Sequence, residues 1–478
     1  MMSLSRNIII LIVVGFGLLQ SSCKVPAIVQ NNALQKAPVS FANSSDTSNT
    51  ASIPWQSFFT DKNLQQLIDS AIKNNPDLLI TLQEIEIARN DIRVKQGKLL
   101  PFAVAGGNMG IEKVGRYTSQ GAGDASTEIK PGTEVPEWIP NYRFGAYANW
   151  EIDIWNKLHN EKKAAVTKYL ASVEGKNFVV SNLIAAIANA YFELLALDNQ
   201  LEIVRQTILL QKNALEIVKV QKEAARTTEL AVKKFEAEVL HSQSLEFDIL
   251  QKTTEKENEI NFLLGRYPQS IQRNQTAFLN LIPAKIQSGI PSQLLQHRPD
   301  IRQAELELAA ATLDVKVARA EFYPSLNIST SIGLNAFNPA YLVKFPASLL
   351  ASLAGDIAGP LINKSAIKAA FYNANAKQIQ TLYNYQKTIL SAYLEVATGL
   401  SNLDNLQKSY QFKTKQVEAL NTSIEIANDL FKSARADYFE VLMTQRDALE
   451  SKLELIDTKL HQFNVLTALY RSLGGGWK

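Results

Sequence analysis

The chain has 478 residues, of which 49 are basic and 46 acidic, and a formal net charge of +3. No stripe of basic residues is present, which argues against a nucleic-acid partner. One cysteine and four scattered histidines exclude an internal disulfide and form no metal-binding motif. Because the sequence also has no phosphate-binding loop and no nucleophile elbow, it predicts a protein that is not an enzyme and has no cofactor and no metal site.

The N-terminus predicts an exported protein. Arg6 is the only charged residue before Cys23, and Ile8–Leu19 is almost wholly apolar, which is typical of a signal peptide covering residues 1–22. About a dozen apolar residues are too few to cross a ~30 Å hydrocarbon core; a membrane anchor or a buried N-terminal helix is the alternative. The stretch resembles a bacterial lipoprotein signal, in which the cysteine becomes the first residue and carries acyl chains, although Gln20 stands where the leucine is usual.

Cys23 is therefore the predicted lipid attachment site, with an incidental cysteine beside an ordinary cleavage site as the alternative. Residues 23–53 are rich in Asn, Ser, Thr and Ala and poor in large apolar side chains. Such a segment cannot bury enough surface to offset the entropy lost on ordering. We interpret it as a flexible linker between the lipid anchor and a folded body.

Two long blocks of the chain predict helices. Residues 141–267 and 361–478 contain no proline and are rich in Ala, Leu, Glu, Lys and Gln, which favour helix. A continuous helix over residues 154–224 would be on the order of 100 Å long. No uninterrupted stretch of roughly 18 apolar residues follows the signal peptide, so the sequence predicts no transmembrane helix. Apolar residues recur every three or four positions, as in coiled coils, at Ile184, Ile187, Tyr191, Leu194 and Leu201, and again at Ile389, Ala392, Val396, Leu403 and Leu406.

The sequence also repeats itself. Pro76 and Asp77 match Pro299 and Asp300, and further matches follow at the same separation without a gap. Later in the chain, the dipeptide Leu264-Gly265 matches Leu473-Gly474 at a slightly shorter separation. An ordered series of matches indicates two tandem copies of one unit of about 200 residues, which we assign to residues 54–282 and 283–478.

Each repeat contains two segments in which apolar and polar residues alternate, which predicts strands. They cover about residues 101–113 and 141–153 in the first repeat and about 324–335 and 347–361 in the second. We expect Trp150 and Ile152 on one face of their strand and Asn149 and Glu151 on the other. Alternation over about ten residues per strand is typical of membrane β-barrels; a half-buried soluble sheet is the alternative. Residues 114–138 would form a loop at the cell exterior.

Four strands cannot close a barrel by themselves. Membrane barrels need at least about eight strands, and an open edge in lipid would leave backbone groups unsatisfied. The barrel must therefore be shared between chains, and three copies would give twelve strands. The predicted fold class is mainly α with a membrane β part, in which two tandem repeats give four strands and long coiled-coil helices.

Several stretches carry a resemblance to a known family. "FFTDKNLQQLIDSAIKNNPDL", "WEIDIWNKLHNEKKAA", "IANAYFELLALDNQL", "IPSQLLQHRPDIRQAE" and the terminal "LYRSLGGGW" resemble the TolC-like outer-membrane factors, in their lipoprotein efflux (NodT-type) branch. The resemblance implies a homotrimer with a 12-stranded barrel in the outer membrane, continued by a periplasmic α-helical barrel. It also implies a passive exit duct for an inner-membrane efflux pump, to which a periplasmic adaptor protein joins it.

In that family the periplasmic helix-turn-helix tips form both the aperture and the adaptor dock. A glycine is usual where Ala225 and Ala434 stand, so the tips of this chain are expected to turn differently. Asp437 matches an aperture aspartate, and three copies would make an acidic ring; the alternative is that Asp437 caps or solvates a turn. The resemblance thus places the aperture and the dock at Ala225, Arg226, Thr227, Thr228, Ala434, Arg435, Asp437 and Tyr438.

Two other classes of protein share some of these features. An elongated structural or adhesive coiled-coil lipoprotein of the envelope would explain the helices but not the paired strands. The periplasmic adaptor itself would have one helical hairpin, whereas this chain has two full repeats. The expected partners are two further copies of the chain, an adaptor, an inner-membrane pump and outer-membrane lipid. The transported substrate is not indicated by the sequence.

Overall fold

The computed structural model describes Pro38, Phe41 and residues 49–274, 278–281, 286–360, 364–433 and 435–478. The predicted signal peptide, Cys23, most of the predicted linker and Ala434 lie outside the described residues. The described chain is mainly helical and contains one four-stranded sheet. The predicted fold class, mainly α with a β part, is confirmed.

Seven long helices and four long strands make up most of the described chain. The first helix begins where the Asp61 carboxylate accepts hydrogen bonds from the backbone N–H groups of Asn63 and Leu64, which caps the helix. The helices are α1 Lys62–Asn74, α2 Pro76–Gly97, α3 Lys157–Glu223, α4 Glu229–Leu263, α5 Pro299–Ala320, α6 Ser365–Lys432 and α7 Tyr438–Ser472; the strands are β1 Phe102–Lys113, β2 Trp138–Ile152, β3 Ser325–Ala336 and β4 Leu349–Ala358. Short helical turns lie at Thr50–Ser52, Trp55–Phe58, Ser119–Asp124, Phe278–Asn280, Pro291–Gln293, Leu294–His297 and Pro339–Leu342, and a small hairpin pairs Glu128–Lys130 with Thr133–Glu134.

The structure repeats with the same spacing as the sequence. Helices α2 and α5 each have 22 residues, and strands β1 and β3 each have 12. The ends of both pairs are separated by the same distance along the chain as Pro76 and Pro299. Helices α4 and α7 each have 35 residues, and helices α3 and α6 have 67 and 68. The duplicated sequence therefore folds into two copies of the same series of elements.

The chain divides into two compact units that cut across the repeats. One unit contains Ile87–Tyr169 and Glu307–Leu382, and the other contains the described residues up to Glu86 together with Leu170–Leu306 and Tyr383–Lys478. Each repeat thus contributes segments to both units, so neither repeat is a separate folded body.

The sheet lies wholly within the first of these units. Its order is β1-β2-β3-β4 and all neighbours are antiparallel. Strand β2 begins at Trp138 rather than near residue 141, because β1 continues to Lys113 and the two residues pair. Strand β4 ends at Ala358, before Gly359 and Pro360, and proline cannot donate to a ladder.

Over β2, β3 and β4 the register gives this sheet a mainly apolar and a mainly polar face, whereas β1 places Phe102 and Val104 on the polar side. Trp150 and Ile152 pair with Ile328 and Leu326 on the apolar face, as the alternation predicted. Two further members of this face, Phe144 and Leu353, are 62% and 78% exposed. The polar face carries Arg143, Asn149, Glu151, Asn327, Ser329, Ser331, Asn335, Ser352 and Asp356. An exposed apolar face of this extent indicates a surface that contacts lipid or another protein.

The two most specific sequence motifs meet in the second unit. The Arg298 guanidinium donates to both oxygens of Asp300, at 3.0 and 2.7 Å, to Glu395 at 2.8 Å and to the backbone oxygen of Ser472 at 3.1 Å. Gly474 has a φ of 99°, and a Cβ there would lie 2.5 Å from the His297 oxygen. Through "HRPDIRQAE" and "LGGGW", the start of α5 therefore packs against the end of α7.

The first repeat makes the same junction with other side chains. The Asn75 amide, which stands where Arg298 stands, donates to the Leu263 oxygen at 2.9 Å. Gly265 has a φ of 66°, and a Cβ there would lie 2.4 Å from the Asn74 oxygen. Both repeats therefore require a glycine at the position that follows the last turn of the long helix.

One described helix, α3, is long and apolar enough by length and composition to cross a membrane. The most apolar window of α3 is 61% buried inside the chain. Core helices pass the same test, so this single helix is weak evidence for a membrane span.

Candidate functional site

The first hairpin tip joins α3 to α4. Ala225 has a φ of 57°, and the Arg226 N–H donates to the Gln221 oxygen at 2.8 Å, as in the left-handed turn that commonly ends a helix. The expectation that alanine would make a different turn is therefore wrong at this tip. The left-handed conformation crowds the alanine Cβ and costs about 1–2 kcal/mol relative to the right-handed one.

Two side-chain contacts then hold this tip. The Thr228 hydroxyl accepts a hydrogen bond from the Ala231 N–H at 3.3 Å and so caps α4. Lys222, on α3, forms an ion pair with Glu229, on α4. The hydrogen bond from Lys222 and its positive charge hold the pKa of the Glu229 carboxyl below its usual range. The pair is exposed, so it links the two helices only weakly.

The second tip joins α6 to α7 and repeats the backbone turn. The Arg435 N–H donates to the Leu430 oxygen at 2.8 Å, which is the equivalent in this repeat of the Arg226 bond; Ala434 itself lies outside the described residues. Asp437 precedes α7 as Thr228 precedes α4, but its side chain makes no capping hydrogen bond. The missing bond does not fit a capping aspartate, whereas the exposure of Asp437 fits an aspartate that solvates the turn as well as one that lines an aperture.

The two tips differ in what joins their helices. The positions equivalent to Lys222 and Glu229 in the second repeat are Phe431 and Tyr438, and both pack against an apolar cluster. We call this the tip cluster; it consists of Leu215, Val218, Ala231, Val232, Phe235, Val239, Val441 and Leu442. Because the tip cluster contains residues of both hairpins, it brings the predicted site residues of both repeats to one end of one helical bundle.

The charges at the tips are available to partners. Arg226, Arg435 and Asp437 are exposed, and none has an ion-pair partner in the described parts of the chain. Thr227 and Tyr438 are half-buried. No group of three potential metal ligands occurs among the described residues. The tips therefore offer charged and hydrogen-bonding groups to a protein or an ion.

Sequence reasoning missed the contacts that distinguish the two tips. The Lys222–Glu229 pair and its aromatic replacement become visible when the two repeats are aligned on their Leu-Gly dipeptides. That alignment can be made from the sequence, but the sequence does not show that Lys222 contacts Glu229 across the turn. The geometry of the tip determines which residues are paired, because the turn brings the last residues of one helix beside the first residues of the next.

A second candidate site is the pair of sheet edges. Strands β1 and β4 each have only one neighbouring strand among the described residues. Their outer N–H and C=O groups face away from the sheet and can pair with another chain.

Comparison with known proteins relates most of the chain to one family. The model of the family "Outer membrane efflux protein" matches residues 67–266 and 290–475. The pyoverdine export outer membrane protein OpmQ of Pseudomonas putida is 27% identical over 425 residues, which cover 89% of this chain and 88% of OpmQ. The cation efflux system protein CusC of Escherichia coli is 27% identical over 428 residues, which cover 89% of this chain and 88% of CusC.

Solved structures share the fold. The open state of the MtrE outer membrane channel of Neisseria gonorrhoeae matches with a TM-score of 0.82 and 23% sequence identity. The match covers 95% of this chain and 98% of that one.

Proposed function

The chain belongs to the outer membrane efflux protein family, and we propose that three copies of it close a shared barrel in the outer membrane and form the exit channel of a tripartite efflux system. The observation that carries this proposal is the sheet, which has an exposed apolar face, a polar face and two unpaired edges among the described strands. In lipid an unpaired edge would cost several kcal/mol per backbone group. Pairing β4 of one copy with β1 of the next removes both edges and keeps every neighbour antiparallel.

Cross-linking of the two edges tests this arrangement. Asn108 on β1 and Ser352 on β4 both lie on the polar face, so Asn108→Cys with Ser352→Cys, or with Ala354→Cys one register further, places a thiol on each edge. Oxidised outer membranes should give dimers and trimers on SDS-PAGE and nothing larger. As a control, Asn108→Cys with Ser329→Cys places the second thiol on the interior strand β3 and should give no ladder. A ladder that continues past the trimer contradicts closure by three copies.

The lipid anchor is a separate part of the proposal. Cys23 would carry acyl chains, and each buried methylene adds about 0.8 kcal/mol of membrane affinity. Cys23→Ser should abolish incorporation of labelled palmitate while leaving the trimer intact, because the barrel makes most of the membrane contact. Equal labelling of the variant contradicts acylation at this residue.

The hairpin tips would serve as the aperture and as the dock for the periplasmic adaptor. The support is their exposed charges at Arg226, Arg435 and Asp437, which have no ion-pair partner in the described chain, and their position at one end of the bundle. Three Asp437 carboxylates around a narrow axis would attract cations and repel one another. The pump behind the adaptor would choose the substrate.

Planar bilayers test the aperture. The wild-type trimer should show a small, cation-selective conductance that divalent cations block, and Asp437→Ala should weaken both selectivity and block. Asp404→Ala is the control, because Asp404 lies within α6 and is paired with Lys408 at 2.6 Å. Unchanged selectivity and block in Asp437→Ala would place the aperture at other residues.

A further inference from the structure

A buried glutamine interrupts the apolar seam of α3. The side chains of the seam are spaced alternately by four and three residues, which are the a and d positions of a heptad repeat. Gln211 is the only polar member of the series, and it is 0% exposed. The series is Leu197, Leu201, Val204, Ile208, Gln211, Leu215 and Val218.

Two neighbouring helices place polar side chains at the same level. On one side of this level lies the tip cluster, and on the other lies a second apolar group, the middle cluster, which consists of Leu197, Val204, Ile208, Ile249 and Leu449. Both clusters contain residues of α3, α4 and α7, so these three helices pack together on both sides of the level of Gln211. Between the clusters, α4 contributes Ser242, which is 0% exposed, and α7 contributes Gln445, which is 5% exposed. We call Gln211, Ser242 and Gln445 the polar layer.

The polar layer is poorly satisfied. Within the described residues, neither amide atom of Gln211 has a hydrogen-bond partner, and neither does the Ser242 hydroxyl or the Gln445 Oε1. Glu238, one turn nearer the tip on α4, has one buried carboxylate oxygen that also lacks a hydrogen-bond partner among the described residues. Because Gln211 and Ser242 are fully covered by their own chain, a neighbouring subunit cannot supply the missing partners.

The second repeat shows that such a position can be satisfied. Ser451 is the equivalent of Ser242 in that repeat and is also buried. The Gln416 amide donates to the Ser451 hydroxyl at 3.0 Å. The lack of a partner at Ser242 is therefore not a general property of buried serines in these helices. Single buried side-chain oxygens without a partner in the described chain also occur away from the tips, at Asn189 and Asn464, whereas the polar layer groups several such atoms at one level.

We propose that the present arrangement is the closed one, that the polar layer is the joint at which the tip ends of the hairpins repack when the channel opens, and that its three residues are positioning residues for that step. The proposal rests on the proposed channel function. Apolar side chains at this level would favour the present packing, whereas unsatisfied polar groups gain from any movement that brings them to water or to one another. The layer thus lowers the free energy needed to leave this arrangement, and it divides the tip cluster, which moves, from the middle cluster, which stays packed.

Filling the layer with apolar side chains tests the proposal. In the full-length trimer, Gln211→Leu, Ser242→Ala and Gln445→Leu together should raise the thermal unfolding temperature by a few degrees. The fraction of time spent in the open conductance state in planar bilayers should fall about tenfold. Ser451→Ala is the matched control: it removes a satisfied hydrogen bond, so it should lower the unfolding temperature and leave opening unchanged.

Different failures point to different premises. A triple variant that is more stable but opens as often as wild type contradicts the joint. A triple variant of lower stability shows that the layer is satisfied, which also contradicts the joint. If the triple variant does not fold, Ser242→Ala alone is decisive, since it should keep or raise stability and still reduce opening. A wild-type trimer that carries no current contradicts the channel function itself, and the joint is then wrong as well.

Discussion

Ala225 adopts a backbone conformation that its side chain disfavours. Ala225 and Asn156, which has a φ of 58°, are the described residues other than glycine that have a positive φ. Asparagine tolerates the left-handed region far better than alanine does. The next bond explains why alanine accepts it: the left-handed conformation of Ala225 directs the Arg226 N–H back to the Gln221 oxygen, at 2.8 Å. The tip therefore contains a strained residue directly before its exposed arginine.

Relieving that strain should stabilise the tip. Ala225→Gly removes the Cβ, and we expect the free energy of unfolding to rise by about 1 kcal/mol, measured by urea denaturation of the purified protein. The control is Ala224→Gly, at a residue of negative φ, where the greater freedom of the unfolded glycine should lower stability by about 0.5–1 kcal/mol. A loss of stability in Ala225→Gly would contradict the left-handed turn.

Other residues show what the sequence could and could not reveal. "HRPDIRQAE" and "LGGGW" indicated the family, but nothing in them showed that Arg298 binds the Ser472 oxygen or that Gly474 lies against His297. Those contacts join residues that are far apart in the sequence, whereas a motif gives information only about residues that are close together in the sequence. The tip conformation at Ala225 was mispredicted for a related reason, because propensity alone cannot weigh the hydrogen bonds that the turn satisfies.

At the scale of elements, periodicity was the reliable guide. Heptad spacing predicted the long helices, and alternation predicted the faces of the strands, because both patterns depend only on neighbours along one element. The pairing of β2 with β3, which joins the two repeats, is not local and could not be predicted in this way. The sequence likewise could not show that Gln211 is buried without a hydrogen-bond partner, since its burial depends on how α4 and α7 pack around it.

The two glycines inside the long helices make a matched pair of predictions. A Cβ at Gly399 would lie 2.6 Å from the Cδ2 of Leu469, a buried side chain, so Gly399→Ala should cost about 1–3 kcal/mol through overpacking. A Cβ at Gly175 would lie 3.1 Å from the Gln303 Oε1, the end of a flexible side chain. Gly175→Ala should therefore gain up to about 1 kcal/mol from helix propensity.

Thermal unfolding of the two variants measures the difference. Gly399→Ala should unfold at a lower temperature than wild type and Gly175→Ala at the same or a higher temperature. Shifts of the same sign in both variants would show that the close approach of α6 and α7 at Gly399 is not what requires glycine there.

At the scale of the whole molecule, the single chain has exposed surfaces that an assembly in a membrane would cover. The apolar face of the sheet is exposed, and its edges have no partner among the described strands. Over β2, β3 and β4 the polar face opposite it carries amides, hydroxyls and a few charges, as the wall of a water-filled channel would. The same four strands that cannot close alone are therefore suited to a lipid surface outside and an aqueous surface inside.

Adjacent residues of β3 test which face meets lipid. Ile332 lies near the middle of the strand, on the apolar face, where it pairs with Ala146 and Ala351, whereas Ser331 lies on the polar face and pairs with Tyr147 and Ser352. Ile332→Arg places a charge in the hydrocarbon region at a cost of about 2–4 kcal/mol near the bilayer midplane. The amount of trimer recovered from outer membranes should therefore fall sharply. Ser331→Arg introduces the same side chain one residue away and loses only the 2.7 Å contact between the Ser331 and Ser352 hydroxyls, so the trimer should still assemble. Equal recovery of the two variants would mean that the apolar face does not lie against lipid.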